Sequence, residues 1–584
     1  MAAGSVSLQG ADMNRRLPVH AVLLSCLALG GTLPASTSAS AATPDTSRPV
    51  ALGDPAANPG PVRVVTETKH DTSPPLRDMP FIAPRPRLTP LETELNHYPK
   101  GENTEPDAAL QTSLPDAPSA MPATLVQFDG ISEATGNCNC SPPDTNGEVG
   151  PHHFVQMVNS AFQVFSLTGT SLFGPASINT VWSGFGGACQ NENAGDPVVI
   201  YDQIADRWVI SQFTDTAAPF FECIAVSQTG DPTGAWHRYA FQTSATKFND
   251  YPKLGVWPDG YYMSANLFNL PTTWAGTGFY VFDRTKMLAG LPATMQFFEL
   301  PAADWGGALP SDLDGSRLPP PGAPNVFVEI LDGAWDPDNW PNDELHFHQF
   351  HVDWTTPGNT TFNAAPIQVA VAAFDGVLCG FGPCVPQLGT AQTLDTLSDR
   401  LMFRLAYRNF GTHESLVLNH TVDAATDRSA IRWYEIRNPS ANPPTIFQQS
   451  TFSPNSLHRW MASAAMDSHG NLAVGYSGSS ATQRPDVRYT GRLAGDPLST
   501  LPQGEGVMLT SAASQSGASR WGDYSDLTLD PANDCVFWFT AEYATASAFD
   551  WKTRVGAFRF PSCNTLFVDG FEVGTKNIWS ASVP

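Results

Sequence analysis

The chain has 584 residues and a formal net charge of −25, with charged side chains making up only 15% of it. Phosphate recognition needs clustered Lys and Arg, and no such cluster occurs, which excludes a nucleic-acid partner. Frequent turn formers (47 Gly, 51 Pro) beside 15 Trp and 34 Phe describe a turn-dense β protein with an aromatic core and exclude a helical bundle.

The N-terminus reads as an export signal. Arg15 and Arg16 precede an apolar stretch, residues 21–29, that is too short to span a bilayer, and small residues continue to Ala41, Ala42 and Thr43 as signal-peptidase cleavage requires. Residues 1–42 are therefore expected to be a signal peptide with a short upstream extension. Residues 43–122 follow as a Pro/Ser/Thr-rich linker or pro-region. They hold too little periodic apolar sequence to offset the entropy of ordering, and are expected to be largely disordered. No later stretch is long and apolar enough to cross a membrane. The mature chain is expected to be secreted, or held at the cell surface, as a monomer. Export favours disulfides. With Cys26 lost alongside the signal, neighbours in sequence suggest Cys189–Cys223, Cys379–Cys384 and Cys535–Cys563. Cys138 and Cys140 are left over, too close in sequence for an unstrained bridge.

From 123 to 563 one pattern recurs: a leading acidic residue, a short apolar strand, a second Asp at a tight turn, and another apolar strand. It runs from Asp196 through 198–201 (VVIY) and Asp202 into 207–210 (RWVI). It runs again from Asp250, turning at Asp259 into 261–263 (YYM), and from Asp395 and Asp399 into 401–403 (LMF). It returns from Met461 to Asp467, turning at Gly470 into 472–474 (LAV), and from Asp523, turning at Asp530 into 535–538 (CVFW). A unit at 142–165 and a weaker one at 345–354 bring the number to six or seven. Such recurrence marks a radial repeat. The expected fold is all-β, a single β-propeller of six or seven four-stranded blades spanning 123–563, with surplus length in loops such as 301–324. Residues 564–584 form a C-terminal tail.

In a propeller the inner strands line a channel and the loops converge on one face, so a ligand binds at the axis there. Leading Asp residues in equivalent positions would form an acidic ring. Crowded carboxylates need a cation, and Asp144, Asp196 and Asp395 are the candidate ligands for Ca2+. Asp250 and Asp523, with Arg459 and Arg520 where Arg-Trp interrupts the pattern, are the candidate catalytic set. Arg404, Trp460 and Trp521 are candidate ligand-binding residues, a guanidinium for an oxyanion and indoles for sugar stacking. The turn residues Asp202, Asp259, Asp467 and Asp530 are expected to be scaffold. The run HFHQFH puts His346 and His348 on one strand face and His351 on the other, and is expected to be a surface histidine cluster rather than a metal site. His413 and Glu414, with His420, offer a general-base pair without a nucleophile, and 475–479 (GYSGS) misses the nucleophile elbow.

Several phrases resemble a family of secreted, largely uncharacterised bacterial β-propeller-like proteins: 142–147 (PPDTNG), 206–208 (DRW), 231–236 (DPTGAW), 399–402 (DRLM) with 407–410 (YRNF), 432–435 (RWYE) and 520–525 (RWGDYS). The resemblance implies the fold and export and supplies no catalytic residues. Residues 569–572 (DGFE) with Trp579 and Ser580 resemble a short tail of many secreted gammaproteobacterial proteins, with Val573 where Ser is usual. The expected function is binding of an extracellular carbohydrate or polymer at the axial face, with Ca2+ as candidate cofactor. The alternatives are a glycoside hydrolase or polysaccharide lyase acting on an acidic glycan, and a non-enzymatic adhesin or cell-envelope protein.

Overall fold

The computed structural model describes residues 60–563 apart from 87–100, 102, 116–119, 216, 270–272 and 549. The chain divides into two units: Met1–Val50, outside the described residues, and Ala51–Pro584, which contains everything below. The expected signal peptide and the tail at 564–584 also lie outside the described residues.

The repeats are built on antiparallel hairpins, and at Asp202, Asp467 and Asp530 the second Asp closes the turn. Val198–Asp202 pairs with Arg207–Phe213 in a register that sets Asp202 against Arg207. Asp202 then accepts from Ala205 N (3.1 Å), closing the turn. Among the described residues, seven meanders of consecutive strands succeed one another. Their first strands are Asn146–Val149, Val198–Asp202, Lys247–Trp257, Leu309–Asp314, Leu401–Asn409, His458–Met466 and Asp526–Leu529. These first strands touch one another in chain order, and Asp526–Leu529 returns to touch Asn146–Val149. The fourth and fifth meanders are also joined by parallel pairing of Ser311 to Asp314 with Leu405 to Arg408. Val126–Ser132, which precedes the first meander, supplies the outer strand of the last by pairing with Trp551–Phe558. Among the described residues no helix is long and apolar enough to cross a membrane.

Two expectations are corrected. Within 43–122, Arg63–Thr66 pairs with the outer edge of the third meander, Lys69–Thr72 with that of the second, and Leu110–Gln111 with that of the fifth. An edge strand offers unpaired N–H and C=O groups to any extended segment, so no apolar periodicity is needed to order one. Side chains anchor it: Arg238 holds Asp71 through two bonds of 2.7 Å, and Leu76 is fully buried. The loop expected at 301–324 also contains an inner strand, Leu309–Asp314, whose inward residues are acidic and so mimic a loop in sequence.

Four disulfides staple the molecule: Cys138–Cys140, Cys189–Cys223, Cys379–Cys384 and Cys535–Cys563. Cys189–Cys223 ties the short helix Ala188–Asn191 to the strand Phe220–Ser227 across 34 residues of chain. Replacing both by Ala is expected to cost about 3 kcal/mol, read as a lower urea midpoint with a larger m-value, since the unfolded chain loses its cross-link. An unmoved midpoint would show that the bridge adds nothing to stability.

Candidate functional site

Where the chain approaches its inner strands, the backbone repeatedly passes through the left-handed region: Asp144 (φ 52°), Asp196 (φ 41°), Tyr251 (φ 54°), Leu397 (φ 46°), Met461 (φ 50°) and Asp523 (φ 59°). Asp tolerates this conformation, which accounts for its recurrence. Tyr, Leu and Met are held there by their surroundings, and such strain gathers at functional sites. The third, fifth and sixth inner strands are also bulged, between Asp250 and Lys253, Met402 and Ala406, and Trp460 and Ser463. Bulges re-aim side chains off the regular ladder.

These loops gather carboxylates around one buried cation. The Lys253 side chain is 0% exposed, with Nζ 3.5 Å from the Tyr251 ring centre and 3.9 Å from that of Tyr524. The two rings meet edge to face at 5.9 Å. Asp196, Asp144, Asp250 and Asp523 attract the ammonium, but burial outweighs them and pushes the Lys253 pKa down to about 8. Asp196 Oδ2 accepts from Tyr251 N (3.2 Å), tying the second meander to the third. Arg520 donates from Nε to Asp523 Oδ1 (3.0 Å) and from Nη2 to Oδ2. Asp395 accepts from Thr396 N and Leu397 N (2.6 and 3.1 Å); burial raises its pKa, Arg520 opposes the rise and Asp523 adds to it. Arg400 is held by Asp399 (2.9 and 2.8 Å) and lies 4.8 Å from the Tyr251 ring centre.

The leading residues Asp144, Asp196, Asp250, Asp395 and Asp523, with Arg520, therefore converge on this face. Arg459, Trp460, Trp521 and Arg404 do not, and the roles expected for them are corrected. Arg459 is fully buried in a bidentate pair with Glu505 (3.0 and 2.9 Å) inside its own meander. Trp460 and Trp521 are fully buried, 6.1 Å apart, and Trp521 Nε1 donates to Ser477 Oγ, so neither indole offers a face to a sugar. Arg404 lies in the wall formed by the inner strands, bonded to Asp312 (2.9 Å) and Asp314 (2.7 and 2.8 Å). A bulge shifts the period-2 alternation, so strand position alone does not say which way such residues point.

Lys253, Tyr251 and Tyr524 were missed; a lone Lys inside the strand sequence YPKLGVW was their one signal. The turn Asp residues are scaffold: Asp202 accepts from Arg284 (2.6 and 3.0 Å) and Tyr261 (2.9 Å), and Asp467 from His469 N and Asn471 N (2.9 and 3.0 Å). Asp259 accepts from Tyr262 and Asp530 from Ala532 N. The surface histidine cluster is corrected too, because His346 and His348 are buried and only His351 is exposed. His420 is buried beside Tyr434 (3.0 Å), its pKa pushed down to about 3 by burial, while His413 stacks on Phe410. Among the described residues, the groups with metal-ligand geometry are His469 with Cys535 and Cys563, and Asp304 with Glu329 and His348. Asp144, Asp196 and Asp395 do not form one; the cation beside the leading carboxylates is Lys253.

No protein-family model matches the chain, and no curated protein matches its sequence. Among solved structures it resembles an ulvan lyase of polysaccharide lyase family PL25, with a TM-score of 0.32 and 10% identity over 76% of this chain and 96% of that one. It also resembles a Trypanosoma rangeli sialidase (TM-score 0.27, 10% identity, 62% of this chain) and a Cellvibrio cellulosa α-L-arabinanase mutant (TM-score 0.26, 8% identity, 62% of this chain and 92% of that one). The chain spans about half (54%) of the length of the sialidase. Likenesses this weak carry no argument about activity. The face itself has to supply one.

Proposed function

We propose that the seven meanders are the blades of a single propeller and that its axial face binds an extracellular sugar polymer that is uncharged or basic. The closed succession of first strands supports the blade count. The single observation that carries the ligand class is the charge balance around Lys253. Carboxylates of Asp144, Asp196, Asp250, Asp395, Asp399 and Asp523 outnumber Lys253, Arg400 and Arg520, and both guanidinium groups are already committed to Asp399 and Asp523. A uronate or sulfate would enter a negative field, whereas sugar hydroxyls donate well to carboxylates. This favours an uncharged or basic polymer over an acidic one. Lys253 already supplies positive charge, so the reading does not require Ca2+.

Glycoside hydrolysis is the chemistry that fits. It needs one carboxyl kept protonated beside another that is ionised. Asp395, raised by burial, lies beside Asp523, which is salt-bridged to Arg520. Asp523→Asn is expected to cut release of reducing ends from an uncharged polysaccharide by about a hundredfold or more while binding persists. Undiminished release would remove Asp523 from the chemistry. Burial of Lys253, Tyr251 and Tyr524 favours a second reading, a docking platform without catalysis. That reading predicts binding by the wild-type chain and no new reducing ends after prolonged incubation.

A further inference from the structure

Away from the axial face, Asp304, Glu329 and His348 meet between the third and fourth meanders. Asp304 comes from the link between them, Glu329 from the strand Asn325–Leu331 and His348 from Glu344–His351. One donor atom from each lies within 4.8 Å of the other two. His348 Nε2 is 2.8 Å from Glu329 Oε1, and Nδ1 is 2.9 Å from Asn363 O. A carbonyl oxygen only accepts, so Nδ1 carries the proton and Nε2 is the atom turned toward the carboxylates.

Glu329 and His348 are each 1% exposed, and Glu329 Oε2 is buried without a hydrogen-bond partner among the described residues. Asp304 accepts from Thr277 Oγ1, and the rings of Phe279 and Phe362 pack on His348 at 5.2 and 5.3 Å. Apolar rings thus cover His348, while the Thr277 hydroxyl and the Asn363 carbonyl are the polar neighbours, and Asp304 is the partly exposed member of the trio. With both carboxyls ionised the trio is net negative even when the imidazole is protonated, a charge that the burial of Glu329 and His348 makes costly and that a proton or a cation offsets. A dication with neutral imidazole and two carboxylates brings the group to neutrality and gives the orphaned oxygen a partner.

We propose that Asp304, Glu329 and His348 bind one divalent transition-metal ion, Zn2+ being the best match to one imidazole and two carboxylates, with the fourth position of the tetrahedron left to water. The ion holds the link between the third and fourth meanders to two strands of the fourth.

The test uses the full chain, stripped with a chelator and exchanged into chelator-free buffer. Reductant is omitted so that Cys535 and Cys563 stay disulfide-bonded beside His469. Titration with Zn2+, Mn2+ or Ca2+ by calorimetry, with bound metal counted by mass spectrometry, is expected to show about one Zn2+ per chain, weaker Ca2+ binding, and an unfolding midpoint raised by several degrees. Glu329→Gln, nearly isosteric, and His348→Gln should each weaken Zn2+ at least about tenfold, while exposed His351→Gln should change nothing. Substoichiometric Zn2+ on the wild-type chain, or unchanged affinity in E329Q, overturns the proposal. If neither variant folds, X-ray absorption of the zinc-loaded wild type decides: a nitrogen/oxygen shell with one imidazole upholds it, and sulfur or several imidazoles overturn it.

Discussion

Arg404→Met is expected to lower the unfolding free energy by about 3–5 kcal/mol, because it strips the cation from a buried group of acids and leaves them uncompensated. Arg404 is 1% exposed and bonds Asp312 and Asp314 through separate nitrogens, with Nε donating to Leu527 O (3.3 Å). Glu148 and Asp526 sit in the same wall. Burial drives both carboxyl pKa values well up, Arg404 opposes that, and the neighbouring acids add to it. Asp312 is raised to about 6 by burial, against the pull of Arg404. Its folded pKa lies above its unfolded one, so its contribution is fully present below about pH 4 and is lost as pH rises through about 6. Arg404→Met should therefore be most damaging near neutral pH and milder near pH 5. Arg404→Lys should rescue it only in part, since a point charge cannot span Asp312, Asp314 and the carbonyl together. Urea unfolding at pH 5 and pH 7.5 checks this, and equal midpoints for Arg404→Met and wild type at both would rule out the ion-pair account of the wall.

Lys253→Met is expected to raise stability at pH 7, by up to about 3 kcal/mol, because burial outweighs the pull of the carboxylates on the ammonium and Met removes that penalty. The wild-type chain has a second signature. Burial lowers the Lys253 pKa to about 8 from an ordinary 10.5. Between those values the unfolded chain holds a proton that the folded chain has released, so stability contributed by this group rises with pH over the window. Wild type should gain on Lys253→Met from pH 8 to pH 9.5, below the range where tyrosines ionise in the unfolded chain. A stability difference that is flat across that window would mean that Lys253 is not desolvated as the structure has it.

What the sequence made legible was local. The hairpin at Asp202 and Arg207 shows itself through period-2 alternation and turn chemistry, both of which act over a few residues. The strand Leu309–Asp314 hides because its inward residues, Asp312 and Asp314, look like loop residues until Arg404, some 90 positions later, neutralises them. Arg459 looked available because its partner Glu505 lies 46 residues away on another strand. Asp144, Asp196 and Asp523 were found together because each answers the same backbone demand, a left-handed turn into an inner strand, while Asp250 and Asp395 precede the left-handed Tyr251 and Leu397. Lys253, which organises them, depends on contacts from several meanders and left no repeat to notice.

The most direct test of the axial-face account is equilibrium binding of a panel of uncharged, basic and uronate-bearing polysaccharides to the wild-type chain and to Asp250→Asn, by calorimetry at low salt. Asp250 is half-buried at this face and its substitution keeps the side-chain shape. The account predicts binding of an uncharged or basic polymer, little binding of the uronate polymer, and about a tenfold or greater loss in the variant at an unchanged unfolding midpoint. Preference for the uronate polymer, or equal affinity of the two proteins, would contradict it.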